Sequence, residues 1–160
     1  MAEENITPSV LIFGCGNVLR GDDGLGPAVV KRLQEHYELP EGVLALDVGT
    51  GLREALLDLM LSGHQPRQII IVDAMDLPGQ LPGEVREIAL EDLPVSYTAN
   101  FSLHQFPSVN MLKELRACTG ATLTLLAVQV GESRGDIRET LSPPVADAVD
   151  TVCRLILRNI

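Results

Sequence analysis

Aromatic residues, cationic residues and long apolar runs are all scarce in this sequence, and each scarcity excludes a class of protein. The 160 residues include no tryptophan, two tyrosines and three phenylalanines, so the stacking platforms of single-stranded nucleic-acid binders are missing. Twelve lysines and arginines against 22 acids give a net charge of −10, which disfavours nucleic acid and anionic membranes as partners. The apolar runs reach only strand length and no apolar leader is apparent, so we expect a cytoplasmic protein without a membrane span.

Cysteine is also sparse, and its arrangement excludes two kinds of stabilising site. Cys15, Cys118 and Cys153 are widely and irregularly spaced, so they form neither a disulfide framework nor a CxxC metal site. We therefore expect reduced thiols, as is usual in the cytosol. HExxH and Walker motifs, which would indicate zinc or nucleotide chemistry, are absent as well.

Short apolar segments alternate with amphipathic ones along the whole chain. The first, residues 10–13, is apolar at every position and precedes a glycine-rich loop and an amphipathic segment from Leu25, which predicts a buried strand and then a surface helix. Further strands are predicted at residues 43–47, 69–72, 84–90 and 123–130, and further helices from Leu52, Val109 and Pro143. The alternation predicts an α/β protein, a single three-layer domain over residues 1–160, with a mostly parallel twisted sheet of about five strands and helices on both faces.

The glycine-rich stretch after the first strand, residues 14–26, contains two adjacent acids, Asp22 and Asp23. A loop that holds phosphate offers backbone N–H groups and the positive end of a helix, and negative side chains would repel such a ligand. We therefore expect a cationic ligand at this loop.

A dinucleotide site is the nearest alternative for this stretch. Gly14-Cys15-Gly16 begins like the GxGxxG fingerprint, and Asp47 ends the second predicted strand, where an acid would bind the ribose. Leu19, however, occupies the place of the third glycine, and no helix is expected to begin there. The two acids also lie where a pyrophosphate would bind, so the sequence disfavours a nucleotide cofactor.

Polar residues follow several predicted strands at the point where each strand ends. They are Asp22, Asp23, Asp47, Thr50, Asp73, Asp76 and, after a long irregular segment, His104. Because the carboxyl ends of parallel strands meet at one edge of a sheet, we expect these side chains to converge. Carboxylates and an imidazole form a donor set that suits a divalent metal of intermediate softness, nickel included.

Three groups of residues follow one another in a characteristic order along the chain. They are Gly14-x-Gly16-Asn17-x-Leu19-x-x-Asp22-Asp23-Gly24-x-Gly26, then Asp73-Ala74-x-Asp76, then Ser102-Leu103-His104-Gln105. Together they resemble the hydrogenase maturation endopeptidase family, whose pattern spans almost the whole chain. The resemblance implies a hydrolase, an aspartyl endopeptidase that removes the C-terminal extension from the large-subunit precursor of a [NiFe]-hydrogenase after nickel has been inserted.

The same resemblance implies roles for individual residues. By motif position, the catalytic and metal-contacting residues are Asp23, Asp73 and His104. The residues implied to contact the substrate are Gly49, Thr50 and Gly51. The nickel is expected to be supplied by the substrate. Without it, close carboxylates should repel each other and raise at least one pKa.

Three residues near these positions have simpler interpretations. Asp22 is expected to be an acid near a helix N-terminus, and Asp76 a turn former before Pro78. A thiol in a glycine loop can be a nucleophile when a histidine lies elsewhere in the chain. Cys15 follows a buried strand, however, and is expected to serve as a small hydrophobic residue.

Two mechanisms and a second function remain open at this point. The nickel could polarise the scissile carbonyl or activate a water molecule, or it could only dock the cleavage site and leave a carboxylate as general base. The alternative function is a non-proteolytic nickel-binding assembly chaperone for the hydrogenase large subunit, which would use the same three residues.

Overall fold

A five-stranded sheet lies at the centre of the computed structural model, which describes residues 7–93, 107–131 and 137–160. The strands are β1 (Val10–Cys15), β2 (Val43–Gly49), β3 (Gln68–Met75), β4 (Val85–Ile88) and β5 (Thr122–Gln129). Their order in the sheet is β2-β1-β3-β5-β4, in which the first four are parallel and β4 is antiparallel to β5. The predicted mostly parallel sheet, with an edge strand near residues 84–90, is confirmed.

Four helices within the described ranges cover the two faces of the sheet. They are α1 (Leu25–His36), α2 (Leu52–Ser62), α3 (Val109–Thr119) and α4 (Pro143–Asn159). α1 and α4 pack in one apolar cluster, and α2 and α3 pack in another on the opposite face, which confirms the predicted three layers. None of these helices combines the length and the apolar character needed to cross a bilayer.

Local signals set the limits of the helices. The Ser108 hydroxyl oxygen accepts a hydrogen bond from the Met111 N–H and caps the start of α3. Gly63 and Gly120 end α2 and α3 with φ angles of 72° and 69°, a left-handed conformation that glycine adopts without strain.

β1 and β3 form the buried middle of the sheet. Every residue of both strands is buried, as expected for continuous apolar runs between two helical layers. β3 continues past its predicted end at Val72, because its pairing with β5 extends as far as Met75 and Gln129. Asp73 therefore lies within the strand, opposite Ala127, and not in the loop that follows.

Candidate active site

The end of β1 packs directly against the start of α1, which also contacts β3. A Cβ atom on Gly14 would lie 2.3 Å from the carbonyl oxygen of Gly26. One on Gly26 would lie 2.3 Å from the carbonyl oxygen of Cys15 and 2.7 Å from that of Val72. Only glycine permits backbone contact this close, and the space that these glycines leave is filled by the protein's own backbone.

Gly16 fixes the position of Asp23. Its φ is 134°, and a Cβ atom there would lie 1.7 Å from the Asp23 carbonyl oxygen. The Gly16 N–H donates to the carbonyl oxygen of Gly49 at 2.8 Å. This glycine thus joins the first acid of the candidate site to the end of β2.

The Asp23 side chain is half-buried and takes one hydrogen bond from the described residues. Its Oδ2 accepts from the Asn17 N–H at 2.8 Å, and the Asn17 Oδ1 accepts from the Leu19 N–H at 2.9 Å, which closes a tight turn. Burial raises the pKa of Asp23, while the Asn17 hydrogen bond and the charge of Arg20 oppose the rise. This carboxylate is held in place with room for a further partner.

Asp73 is buried more deeply, with 7% of its surface exposed. Burial raises the pKa of Asp73 well above the ordinary carboxyl range, the negative charge of Asp23 adds to the rise, and a hydrogen bond from the Ala74 N–H opposes it. The fold therefore brings two of the three predicted metal-contacting residues close enough to repel each other. The pKa of at least one of them rises, as the sequence predicted for such a pair.

Cys15 lies beside this pair of acids and is protected from ionisation. Its Sγ donates to the carbonyl oxygen of Val72 at 3.2 Å. Burial raises the pKa of the thiol well above its usual value, and the negative charges of Asp73, Asp23 and Asp47 raise it further. Because the thiolate is the nucleophilic form, this environment supports the interpretation of Cys15 as a small buried residue.

Asp22, although adjacent to Asp23, binds a different part of the chain. Its Oδ2 accepts from the Gly131 N–H and the Ser142 hydroxyl, both at 2.8 Å, and its Oδ1 accepts from the Ser142 N–H at 2.6 Å. Ser142 is the N-cap residue of α4, so Asp22 does lie at a helix N-terminus, that of the last helix. The third hydrogen bond comes from Gly131, before that helix. We call Asp22, Gly131 and Ser142 the Asp22 cluster.

The loop after β2 is open to solvent at the edge of the sheet. The Asp47 Oδ1 accepts from the Gly49 N–H at 2.9 Å, and the Gly51 N–H donates to the Val48 carbonyl oxygen at 2.8 Å. Nothing lies within 4 Å of the place that a Cβ atom on Gly49 would take, and Thr50 is exposed. The loop is accessible, and its contact with substrate stays a prediction.

Asp76 is held by a residue that sequence reasoning missed. Gln129, buried at the end of β5, donates from Nε2 to the Asp76 Oδ1 at 3.1 Å and accepts at Oε1 from the Leu77 N–H. The signal that could have identified Gln129 is its place as a polar residue at the end of an apolar strand. Gly131 and Ser142 were missed as well, although a serine before two prolines is a helix-start signal.

His104, the third predicted metal-contacting residue, lies outside the described residues. Within the ranges 7–93, 107–131 and 137–160, no three histidine, cysteine, aspartate or glutamate side chains gather as a metal centre. The charge of Asp23 acts on Asp73 in this structure, and the roles of all three residues as metal ligands stay predictions.

Residues 131–135 spell GxSxG, the pattern of a serine nucleophile on a tight strand-to-helix turn. Ser133 lies outside the described residues. Residues 137–142 are not helical, and α4 begins only at Pro143. The helix that should follow such a serine at once is therefore displaced, which weighs against serine chemistry here.

Comparison with known proteins gives consistent sequence matches. The family model described as hydrogenase maturation protease matches residues 27–159. A Methanocaldococcus jannaschii protein, provisionally named a hydrogenase maturation protease, is 36% identical over 152 residues, which cover 94% of this chain and 96% of that protein. The coenzyme F420 hydrogenase subunit delta of Methanothermobacter thermautotrophicus is 30% identical over 155 residues, which cover 94% of each chain.

A solved structure agrees with these matches. The hydrogenase maturating endopeptidase HybD of Escherichia coli superposes with a TM-score of 0.74 at 29% identity. The superposition covers 94% of this chain and 90% of that chain. The likeness therefore extends over nearly the whole of both chains.

Proposed function

The chain belongs to the hydrogenase maturation protease family, and from that premise we propose that it is an endopeptidase acting in the cytoplasm. It removes the C-terminal extension of a [NiFe]-hydrogenase large-subunit precursor after nickel has been inserted. It recognises the precursor through the nickel that the precursor holds.

The neighbouring acids Asp23, which is half-buried, and Asp73, which is buried, are the observation that carries this proposal. Carboxylates removed from water beside one another are costly unless a cation joins them, and the pKa of each is raised in this fold. Their oxygen atoms are donors that a divalent ion accepts. A precursor carrying nickel would supply the missing positive charge, so it should bind better than an empty precursor.

Each part of the cleft has a task in this proposal. Asp23 and Asp73 bind the nickel of the precursor, and His104 adds a nitrogen ligand. Nickel held there would polarise the scissile carbonyl or lower the pKa of an attacking water. The loop of Gly49, Thr50 and Gly51 receives the substrate backbone, which the open space beside Gly49 supports.

A non-proteolytic assembly chaperone is the second candidate function. It is supported by one relative, 30% identical over 94% of both chains, that is named as a hydrogenase subunit and not as a protease. Such a protein would bind the nickel-loaded precursor through the same acids and leave it intact.

Intact mass spectrometry separates the two candidates. The purified full chain is incubated with the large-subunit precursor, either loaded with nickel or free of it. A shortened precursor in the nickel-loaded sample alone supports the endopeptidase. A precursor that binds the protein and keeps its full mass would refute proteolysis and favour the chaperone.

The contribution of His104 is tested by the same assay. His104→Ala should lower the processing rate by about 100-fold, because a metal site that loses a supporting group typically loses 10–100-fold in affinity or activity. His36→Ala is the control, since His36 is an exposed residue at the end of α1. Equal rates for the two variants would remove His104 from the site.

A further inference from the structure

Two arginines, Arg20 and Arg138, lie side by side at the rim of the candidate active site, and we name them the arginine bridge. They form an isolated parallel β-bridge. The Arg138 N–H donates to the Leu19 carbonyl oxygen at 2.9 Å, and the Gly21 N–H donates to the Arg138 carbonyl oxygen at 2.6 Å. The backbone pairing therefore brings the two arginine residues next to each other.

The arginine bridge adjoins both acidic regions of the cleft. The Asp23 N–H donates to the Arg20 carbonyl oxygen at 3.3 Å, which places the bridge next to the predicted nickel ligands. On the other side, Arg138 precedes Ser142, whose N–H and hydroxyl bind Asp22. The bridge thus adjoins the segment that carries Asp23 on one side and precedes the start of α4 on the other.

Neither guanidinium group is neutralised by a close partner within the described ranges. The ion pairs found there are Arg32–Asp150, His36–Glu35 and Arg116–Glu91. The charge of Arg20 acts on Asp23 at longer range, and both arginines are exposed. In a chain with a net charge of −10, the arginine bridge brings two exposed cations together beside the segment that carries Asp23.

Exposed apolar side chains flank the two cations. Val18 and Leu19 precede Arg20 and are 52% and 48% exposed, and Ile137 precedes Arg138 and is 87% exposed. An apolar surface rimmed by charge is typical of protein–protein contact sites.

We propose that the arginine bridge is a docking site for the hydrogenase large-subunit precursor, which places a carboxylate side chain against Arg20 and Arg138 and an apolar side chain against their neighbours. Planar guanidinium groups bind carboxylates through paired hydrogen bonds. A precursor that presents nickel to Asp23 and Asp73 and a carboxylate to the bridge meets two patches of opposite sign, which fixes its orientation. This inference rests on the proposed function for the identity of its occupant.

Arg138→Glu tests the docking site, because Arg138 is anchored through its backbone, whereas the charge of Arg20 also acts on the pKa of Asp23. Arg158→Glu is the matched control, since it makes the same charge change at an exposed residue in the last turn of α4, about 24 Å along the helix from Ser142. We expect the KM for nickel-loaded precursor to be about 10-fold higher for Arg138→Glu than for Arg158→Glu, and the kcat values of the two variants to be nearly equal. The difference in KM should shrink in high salt.

A charge exchange then identifies the partner group. In the Arg138→Glu background, each acidic residue of the precursor extension is changed to lysine in turn, and one such change should restore most of the lost KM. Equal KM values for Arg138→Glu and Arg158→Glu, or a loss that appears in kcat alone, would overturn the docking site.

The docking site and the proteolytic function fail in different ways. If the wild-type protein cuts nothing, the endopeptidase proposal fails, and the dissociation constant of the nickel-loaded precursor replaces KM in the same comparison. If the wild-type protein cuts and the two arginine variants behave alike, the docking site fails and the endopeptidase remains.

Discussion

Two acidic regions at the same edge of the sheet, the Asp22 cluster and the pair Asp23 and Asp73, differ in what surrounds the charge. Asp22 and Asp73 are almost equally buried, at 6% and 7% exposure. Asp22 accepts three hydrogen bonds from Gly131 and Ser142. Asp73 has one hydrogen bond, from the Ala74 N–H, and a second carboxylate nearby.

The difference separates a structural charge from a charge kept for a ligand. Three donors replace the water that Asp22 loses on burial, so its charge is satisfied within the protein. The water that Asp73 loses is not replaced to the same extent, and the rise of its pKa measures that deficit. Burial alone therefore does not identify a functional acid, and the supply of hydrogen-bond donors decides between the two roles.

Neutralising either acid of the pair should have the largest effect on function. Asp23→Asn and Asp73→Asn keep the shape of the side chain and remove the charge that we propose binds the nickel of the precursor. We expect each to lower the rate of processing by about 100-fold or more, measured as the loss of full-length precursor. Asp58→Asn, an exposed acid on α2, is the control. Wild-type rates in either variant would remove that acid from the site.

The glycine that positions Asp23 should be the most sensitive point for stability. Gly16→Ala places a Cβ atom 1.7 Å from the Asp23 carbonyl oxygen at a φ of 134°, which should cost about 3 kcal/mol or more. Thermal unfolding should show a Tm lower by about 6–12 °C.

Gly49→Ala is the matched control for that substitution. Gly49 also has a positive φ, 53°, but open space around its Cβ position, so only the backbone strain of about 1 kcal/mol should appear. Equal losses of stability in the two variants would mean that the close approach of residue 16 to Asp23 adds nothing to the cost of Gly16→Ala.

Removing the charge of the Asp22 cluster should destabilise the fold somewhat less. Asp22→Ala leaves the Gly131 N–H, the Ser142 N–H and the Ser142 hydroxyl without their acceptor, at a cost of about 2–3 kcal/mol. The Tm should fall by about 4–12 °C, whereas Asp58→Ala should change it little. An unchanged Tm for Asp22→Ala would show that water replaces the acceptor, and the contrast between the two acidic regions would then fail.

The two acids illustrate what the sequence could predict and what it could not. The apolar runs of β1 and β3 predict a parallel sheet, because a strand with consecutive apolar residues is one that is buried on both faces. Both strands are indeed fully buried. The strand-end rule and the family resemblance together single out Asp23 and Asp73. The role of Asp22 could not be predicted in the same way, because its partners are 109 and 120 residues away and no local pattern records them.

The end of β3 was misplaced for a related reason. The predicted strand stops at Val72, where the continuous apolar run ends, yet residues 73–75 continue the strand because β5 offers backbone partners up to Gln129. Pairing between distant segments overrides local preference. The end of β5 also supplies the buried amide of Gln129 that holds Asp76. The missed strand boundary and the missed residue thus both follow from the pairing of β3 with β5.

The smallest predicted effect is a change of stability with pH that comes from Asp73. Because the pKa of Asp73 is raised in the folded state, the folded protein holds more protons than the unfolded chain in the range between the two pKa values. The contribution of Asp73 to stability is therefore full below about pH 4, the ordinary carboxyl pKa, and is lost as the pH rises through the raised value. Asn cannot ionise, so Asp73→Asn should avoid that loss.

Thermal unfolding across a pH series, without nickel or precursor, measures this effect. The Tm of Asp73→Asn should equal that of the wild type near pH 4 and exceed it at pH 7.5, whereas Asp22→Ala should unfold below the wild type at pH 7.5. The same Asn substitution that abolishes processing would then stabilise the empty protein, as expected when an acid is kept for a ligand at a cost to the fold. A Tm for Asp73→Asn below that of the wild type at pH 7.5 would instead assign Asp73 the structural role of Asp22, since a satisfied charge is the one whose removal destabilises.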